Sequence, residues 1–200
     1  MNYAKLAFTD RIKTLQEAHG SRKGYQKMET FAFPDGLSER ELQFIAARDS
    51  FYVASLGENG YPYMQHRGGP RGFLRAIDHK TLAFLDFRGN MQYITTGNVQ
   101  THKKVSLFLM DYPNRLRLKI YAEVEVVEPS ERPALWEALQ LEGYTYKAER
   151  AMVFHVKAFD WNCPQHITPR FTEEEIKQLL QPYEKEIDRL KAALADGKSG

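Results

Sequence analysis

From Phe51 onward the apolar spacing of this chain changes from helical to alternating, and that change constrains the fold more than anything before it. The stretch "FYVASLGENGYPYMQH" reads as two strands joined at Asn59-Gly60, a strong hairpin signal. Then "TLAFLDF", "VSLFLMDY", "RLKIYAEVEVVE" and "RAMVFHVKAFDW" continue as strands rich in aromatic and β-branched residues. Six strands with mostly short links predict a mainly β, α+β chain: an antiparallel barrel with flanking helices rather than a βαβ sheet.

Helical signals flank this core. "DRIKTLQEAHG" spaces Ile12, Leu15 and Ala18 as a helix and stops at Gly20. In "LSERELQFIAARDS", Ser38 and Glu41 form a capping box and Leu37 can staple against Leu42, which predicts a helix over about 39–48. A helical excursion is expected near 129–148, and "TEEEIKQLLQPYEKEIDRLKAALA" closes the chain as helix, interrupted or kinked near Pro182. At 200 residues, 42% hydrophobic, the chain is expected to form a single domain over 1–200. Its parts are N-terminal helices over 1–50, the barrel over 51–162, and a loop with the C-terminal helix over 163–200.

Charge excludes some functions. With 28 Lys and Arg against 26 Asp and Glu, net +2, there is no global basic field to grip a nucleic acid, so any anion site must be local. The lone Cys163, the lack of a bilayer-length apolar run and the lack of a cleavable signal at "MNYAKLAFTD" lead us to expect a cytoplasmic protein with no membrane partner. No His or Cys spacing resembles a metal-ligand motif, so no metal is expected.

Two loops carry the same equipment. After the hairpin comes "HRGGPRGF", with His66, Arg67, Gly68 and Gly69. After "TLAFLDF" comes "RGNMQYITTGN", with Arg88, Gly89, Asn90, Gln92, Tyr93, Asn98 and the hydroxyls of Thr95 and Thr96. Glycines let backbone N–H groups converge on an anion, and an Arg fork matches phosphate oxygens. Gly-Gly-Pro is also ordinary turn chemistry, and arginines beside a turn are usually solvated. The pair of loops together, with no Walker motif and no dinucleotide fingerprint, favours a mononucleotide. In "YPNRLRLKI", Arg115, Arg117 and Lys119 alternate on one strand face, where an anion or plain solvent meets them.

The succession "GYPYMQHRGGPRGFL", "LAFLDFRGNMQYITTGN", "VSLFLMDYPNRLRLKIYAEVEVVE" and "WNCPQHI" resembles the pyridoxamine 5′-phosphate oxidase-related family of FMN-binding split barrels, over about residues 30–170. The resemblance implies a six-stranded split antiparallel β-barrel and a homodimer with FMN at the subunit interface. It also implies that Arg67 is the early phosphate-binding arginine and that "FRGNMQY" adds phosphate and ribityl contacts. The family's R-x-x-L-L-K strand is replaced here by "RGGPRGFLR", with Arg75 where lysine is expected, and its R-Q-V-R strand by "RLRLK". Those departures put pyridoxamine phosphate itself in doubt as the substrate.

Within that frame Arg67, Arg88 and the Gly68-Gly69 backbone form the phosphate group, and Asn90, Gln92 and Asn98 pair with ribityl hydroxyls or the ring edge. Arg117 or Lys119 serves the pyrimidine end of the flavin. "DWNCPQHITPRF" suits a small-molecule substrate pocket, with His166 and Arg170 carried over from the family's substrate side. Cys163 and His166 are three apart across a proline with no orienting third group, so a nucleophile-and-base pair is not expected, and no catalytic residue is assigned. Two functions stand: an FMN-dependent oxidoreductase, or a barrel that holds FMN or another phosphorylated ligand without turnover. Deazaflavin or haem in the same barrel stays open.

Overall fold

The computed structural model describes residues 2–31, 35–161 and 164–196. They fall into two compact units, one within 1–110 and 116–163, the other within 111–115 and 164–200. In the first, α1 (Tyr3–Ala7), α2 (Asp10–Ala18), α3 (Arg22–Thr30) and α4 (Glu39–Ala46) precede the sheet. The chain leaves α2 through Gly20 at φ +72°, a left-handed conformation cheap only for glycine. The expected capping box opens α4, with Ser38 and Glu41 satisfying each other's backbone amides. Leu37 and Leu42 both meet the barrel core.

The strands are β1 (Ser50–Leu56), β2 (Pro62–Gly68), β3 (Arg75–Asp78), β4 (Thr81–Phe87), β5 (Lys104–Asp111), β6 (Leu116–Val127) and β7 (Ala148–Trp161), in one sheet of order β2-β1-β5-β6-β7-β4-β3. The Asn59-Gly60 turn joins β1 to β2 in antiparallel register from Leu56↔Pro62 to Ser50↔Gly68. The six expected strands are all present. A seventh, β3, is four residues that begin at Arg75, the last residue of the segment that reads as an insertion, held in place because the preceding Phe73 and Leu74 are buried. Two other loops differ from the expectation. The 129–148 excursion contains only the short α6 (Pro133–Ala138), and "RGNMQYITTGN" leads into a helix, α5 (Ile94–Thr101).

Chain length explains why this sheet curls. Laid flat, seven strands at roughly 4.8 Å spacing would put β2 and β3 about 29 Å apart. The seven Cα steps from Gly68 to Arg75 can span about 25 Å at full stretch. The short "GPRGFL" link therefore forces the two edges toward each other. A side-chain bond crosses the same opening: Arg67 on the edge strand β2 donates from Nη1 to Asp86 Oδ1 at 2.7 Å on β4, which is next to the opposite edge strand in the hydrogen-bonded order. The sheet stays open between β2 and β3, a split antiparallel barrel.

Burial follows from that geometry. β5 and β6 alternate, one face in and one out, whereas Leu82 to Asp86 of β4 are buried without a break. Leu82 and Phe84 fill the barrel with Phe51, Phe73, Leu107, Ile120 and Phe154. Ala83 and Leu85 face outward under Leu139 at the end of α6, with Ala151 and Val153 of β7 beside them. Thus the helical excursion covers the outer face of β4 and of the adjoining part of β7, where Ala151 to Phe154 are also buried without a break. The second unit contains α7 (Glu173–Asp196), which runs through Pro182 as one continuous helix instead of breaking there. No helix among the described residues is long and apolar enough to cross a membrane.

Candidate functional site

Where β4 ends, the chain makes an unusual turn into α5. Met91 and Tyr93 both take left-handed φ, +57° and +54°, a conformation that costs a non-glycine residue roughly 1–3 kcal/mol and persists only where the surroundings enforce it. Tyr93 in that conformation leaves α5 without a side-chain cap, and its first turn has no acidic residue. The opening amides of α5 thus have no side-chain cap from Tyr93 and lie at the positive end of a helix dipole.

The first turn of α5 borders a notch of about 40 Å³ lined by Gln65 and Arg67 of β2, Asp86 of β4, the turn residues Gly89, Asn90, Met91 and Tyr93, and Thr95 and Thr96 of α5. Thr95 donates to Gln65 Oε1 at 2.8 Å, which ties α5 to β2. Arg150, directly opposite Asp86 in the β4–β7 register, lies 3.7 Å from Asp86 Oδ2, donates to Thr96 Oγ1 at 3.3 Å and sits over the Tyr93 ring. Arg88, half exposed, bonds Met91 Sδ at 3.0 Å and lies 3.7 Å from Glu149 Oε1. Three guanidinium groups therefore converge with two carboxylates.

Arg67 is the informative member. Its side chain is 13% exposed and its Asp86 partner 7%, yet Arg67 Nε is buried with no hydrogen-bond acceptor among the described residues. A buried donor left unmatched is costly, so the site is short of one acceptor. Burial pushes the Asp86 carboxyl above the usual carboxylate range despite the attraction of Arg67 and Arg150, and the nearby Glu149 adds to the rise. The pair is thus an expensive one to keep charged, and an additional anion would be met by the free Nε of Arg67 together with Arg88, Arg150 and the start of α5.

Beyond Ile94 the notch borders a cavity of about 620 Å³ lined by Tyr61, Pro62, Tyr63, Gly97 and Asn98. Past Pro62 lies an apolar groove of about 660 Å³ with Ala54, Leu56, Val105 and Tyr121 on its walls. Both are within the size range of small-molecule sites.

The structure brings together Arg67, Arg88, Gly89, Asn90 and Tyr93 around the notch. Gln92 has its amide held by Asn90 Oδ1 in the same turn. Asn98 lies one cavity away and donates to Ser55 Oγ at 3.0 Å. His66 alternates to the other face of β2 and packs edge-on against Tyr52. Gly68 pairs with Ser50 in the ladder, and the Gly69 amide is spent on Asp49 O at 2.9 Å. A Cβ at Gly69 would stand 2.7 Å from Phe73 Cγ, so this glycine serves the close packing of the link. Arg115 lies before β6 in a left-handed turn, which removes it from the expected alternating row. Lys119 pairs with Asp160 at 3.0 Å under the Tyr3 ring, and neither it nor Arg117 lines the notch or the two adjoining cavities among the described residues. His166 and Arg170 belong to the second unit, where Arg170 lies over Tyr112. Asn162 and Cys163 lie outside the described residues.

Sequence reasoning missed Arg150, Asp86 and Glu149. The signal was present in "FLDF" and "AERA", charged residues where a strand's apolar run begins or ends.

Comparison with known proteins bears on this arrangement. HupZ from Group A Streptococcus shares 16% identity and a TM-score of 0.51, covering 68% of this chain and 100% of that chain. An FMN-binding protein from Syntrophomonas wolfei subsp. wolfei shares 14% identity and a TM-score of 0.47, over 74% of this chain and 97% of that chain. A Clostridium acetobutylicum protein of the pyridoxinephosphate oxidase family, related to general stress protein 26 of B. subtilis, shares 18% and 0.48, over 68% and 94%. At such identity the HupZ likeness speaks for the fold alone. No curated protein matches the chain. The family model described as pyridoxamine 5′-phosphate oxidase matches residues 37–158, from the start of α4 through most of β7 and including every residue of the notch. On that match, spanning well over half of its length, the chain belongs to the pyridoxamine 5′-phosphate oxidase family.

Proposed function

We propose that this chain is an FMN-binding oxidoreductase acting on a small molecule, with the flavin phosphate in the notch and the flavin completed by a second subunit. One observation carries the reading: the unmatched, buried Arg67 Nε beside the uncapped start of α5. A phosphate oxygen supplies the missing acceptor, and a dianion suits a helix N-terminus flanked by Arg88 and Arg150. The residues present therefore fit FMN's phosphate end.

The chain's own groups then divide the work. Arg67, Arg88 and the α5 amides would hold the phosphate, Thr95 and Thr96 would offer hydroxyls beside it, and Asn98, which lines the adjoining cavity, would serve the sugar-alcohol chain. Pro62 and Ile94 would back one side of the ring in that cavity. Tyr61 is 75% exposed and Met64 66%, so the other side is open in one chain and a homodimer is the economical way to cover it. FMN, when bound, supplies two-electron redox chemistry, while the protein supplies orientation and electrostatics.

The test is the visible spectrum of the purified protein, joined to one variant. Wild type should show oxidised-flavin bands and scatter light as twice the 23.2 kDa chain. Arg88→Ala, on a half-exposed side chain without a buried partner, should leave folding intact and lower FMN affinity about 10- to 100-fold. A colourless protein that takes up no FMN in titration ends the proposal, as does unchanged affinity in Arg88→Ala. Bleaching of the bound flavin by NADH or NADPH selects the enzyme over a non-catalytic holder.

A further inference from the structure

The helix α7 repeats an apolar residue in alternating steps of four and three: Ile176, Leu180, Tyr183, Ile187, Leu190 and Leu194. This is the spacing of the two core positions of a coiled coil, a and d, with Ile176, Tyr183 and Leu190 at d and Leu180, Ile187 and Leu194 at a. All six are exposed, from 44% at Ile176 to 66% at Leu194. A surface helix normally buries such a stripe. Pro182 falls at c, on the side away from the seam, where its lost backbone bond does not interfere with packing of the stripe.

Charge beside the stripe selects the occupant. The flanking e positions are Lys177, Glu184 and Lys191, and the g positions are Leu179, Glu186 and Ala193. In a parallel, in-register pair of identical helices, position g meets the partner's e five residues on, so Glu186 faces Lys191 of the other copy twice over. In an antiparallel pair with Tyr183 packed against Ile187, g meets g and e meets e: Glu186 would oppose Glu186 and Glu184 would oppose Glu184. An anionic membrane is disfavoured too, since α7 carries seven carboxylates against four basic side chains.

We infer that α7 is a self-association element which pairs with α7 of a second copy of this chain as a parallel, in-register coiled coil. The two-fold axis then runs along the helices, and like residues meet across it. This inference does not rest on the flavin reading, because the pairing requires no bound cofactor.

The test uses the full chain carrying Cys163→Ser and Leu190→Cys. In the parallel register the two introduced thiols face each other, within the roughly 4.4–6.8 Å Cα range that a disulfide bridges, so mild oxidation should convert most of the protein to a covalent dimer. Adding Glu186→Lys should slow cross-linking about twofold to tenfold, and adding Lys191→Glu to that chain should restore the rate. Two outcomes overturn the inference. If Leu190→Cys stays monomeric on denaturing gels but cross-links when mixed with Leu180→Cys, the pair is antiparallel. If no combination cross-links, the stripe is covered by something other than α7. Flavin content and light-scattering mass, read on the same samples, keep a failure here separate from a failure of the flavin-site dimer.

Discussion

Arg67→Ala should lose about 3 kcal/mol of stability at neutral pH as well as its flavin, the low end of the roughly 3–5 kcal/mol seen when one partner of a buried ion pair is removed. The reason is Asp86. With Arg67 gone, its buried carboxylate keeps only Arg150, at 3.7 Å. Burial already holds the Asp86 carboxyl above its ordinary range, and losing a cation raises it further. A raised carboxyl favours the folded state fully only below its unfolded value, near 3.9, and that support disappears as pH rises through the folded value. The variant's deficit should therefore be larger at pH 7 than at about pH 5. Urea unfolding of flavin-free protein at both pH values measures it without the stabilisation that ligand binding adds. A double change, Arg67→Met with Asp86→Leu, should recover most of the stability and none of the flavin affinity, because it removes the orphaned charge but not the need for a phosphate donor. Arg67→Ala within 1 kcal/mol of wild type at pH 7 would show that the β2–β4 bridge does not hold the barrel's edges.

Phe84→Ala should cost about 3–5 kcal/mol, the range for deleting a buried aromatic ring. Phe84 stacks on Phe154 at 5.9 Å and meets Phe51 and Phe73 edge-on at 5.3 and 6.0 Å. None of these rings can follow the void, since Phe51, Phe73 and Phe154 are fixed on β1, the β2–β3 link and β7. The loss also reaches the site. The Arg67 guanidinium lies 5.9 Å over the Phe84 ring, so its lower support goes with the ring. Urea midpoints should fall with little change in slope, and FMN affinity should weaken beyond what a Leu replacement causes. A stable Phe84→Ala that binds FMN as wild type does would mean that the core at this point is far more plastic than its packing implies.

Local patterns carried the fold further than the site. Alternation identified the central strands because β5 and β6 are buried on one face, and the Ser38–Glu41 box marked α4 because capping is decided within four residues. Strand β3 was hidden because its place comes from Phe73 and Leu74 locking into a core built by β1, β4 and β7. The helical start after Tyr93 was equally hidden, because its left-handed entry is imposed by the surroundings rather than by a cap residue. In the site, Arg67 and Arg88 were legible from the company they keep in sequence. Asp86 and Arg150 were not: their meeting depends on the register of β4 against β7, a pairing across some sixty positions that no short window contains. The same register law dissolves the Arg115, Arg117, Lys119 row, which loses its first member to a turn and its last to Asp160.

The strand order has a consequence for how the protein comes into being. β1 with β2, and β3 with β4, are made first and form the outer pairs of the sheet, while β5, β6 and β7 are made later and lie between them. During synthesis each early hairpin has one partner and one open flank: β1 has no second neighbour until β5 is made, and β4 none until β7 emerges. Leu107 and Phe154, which complete the barrel interior, arrive with that late wedge. The nascent half-chain must therefore carry unpaired strand edges and bare aromatic surface for as long as the ribosome needs to finish the second half, the condition under which newly made chains draw chaperones or one another.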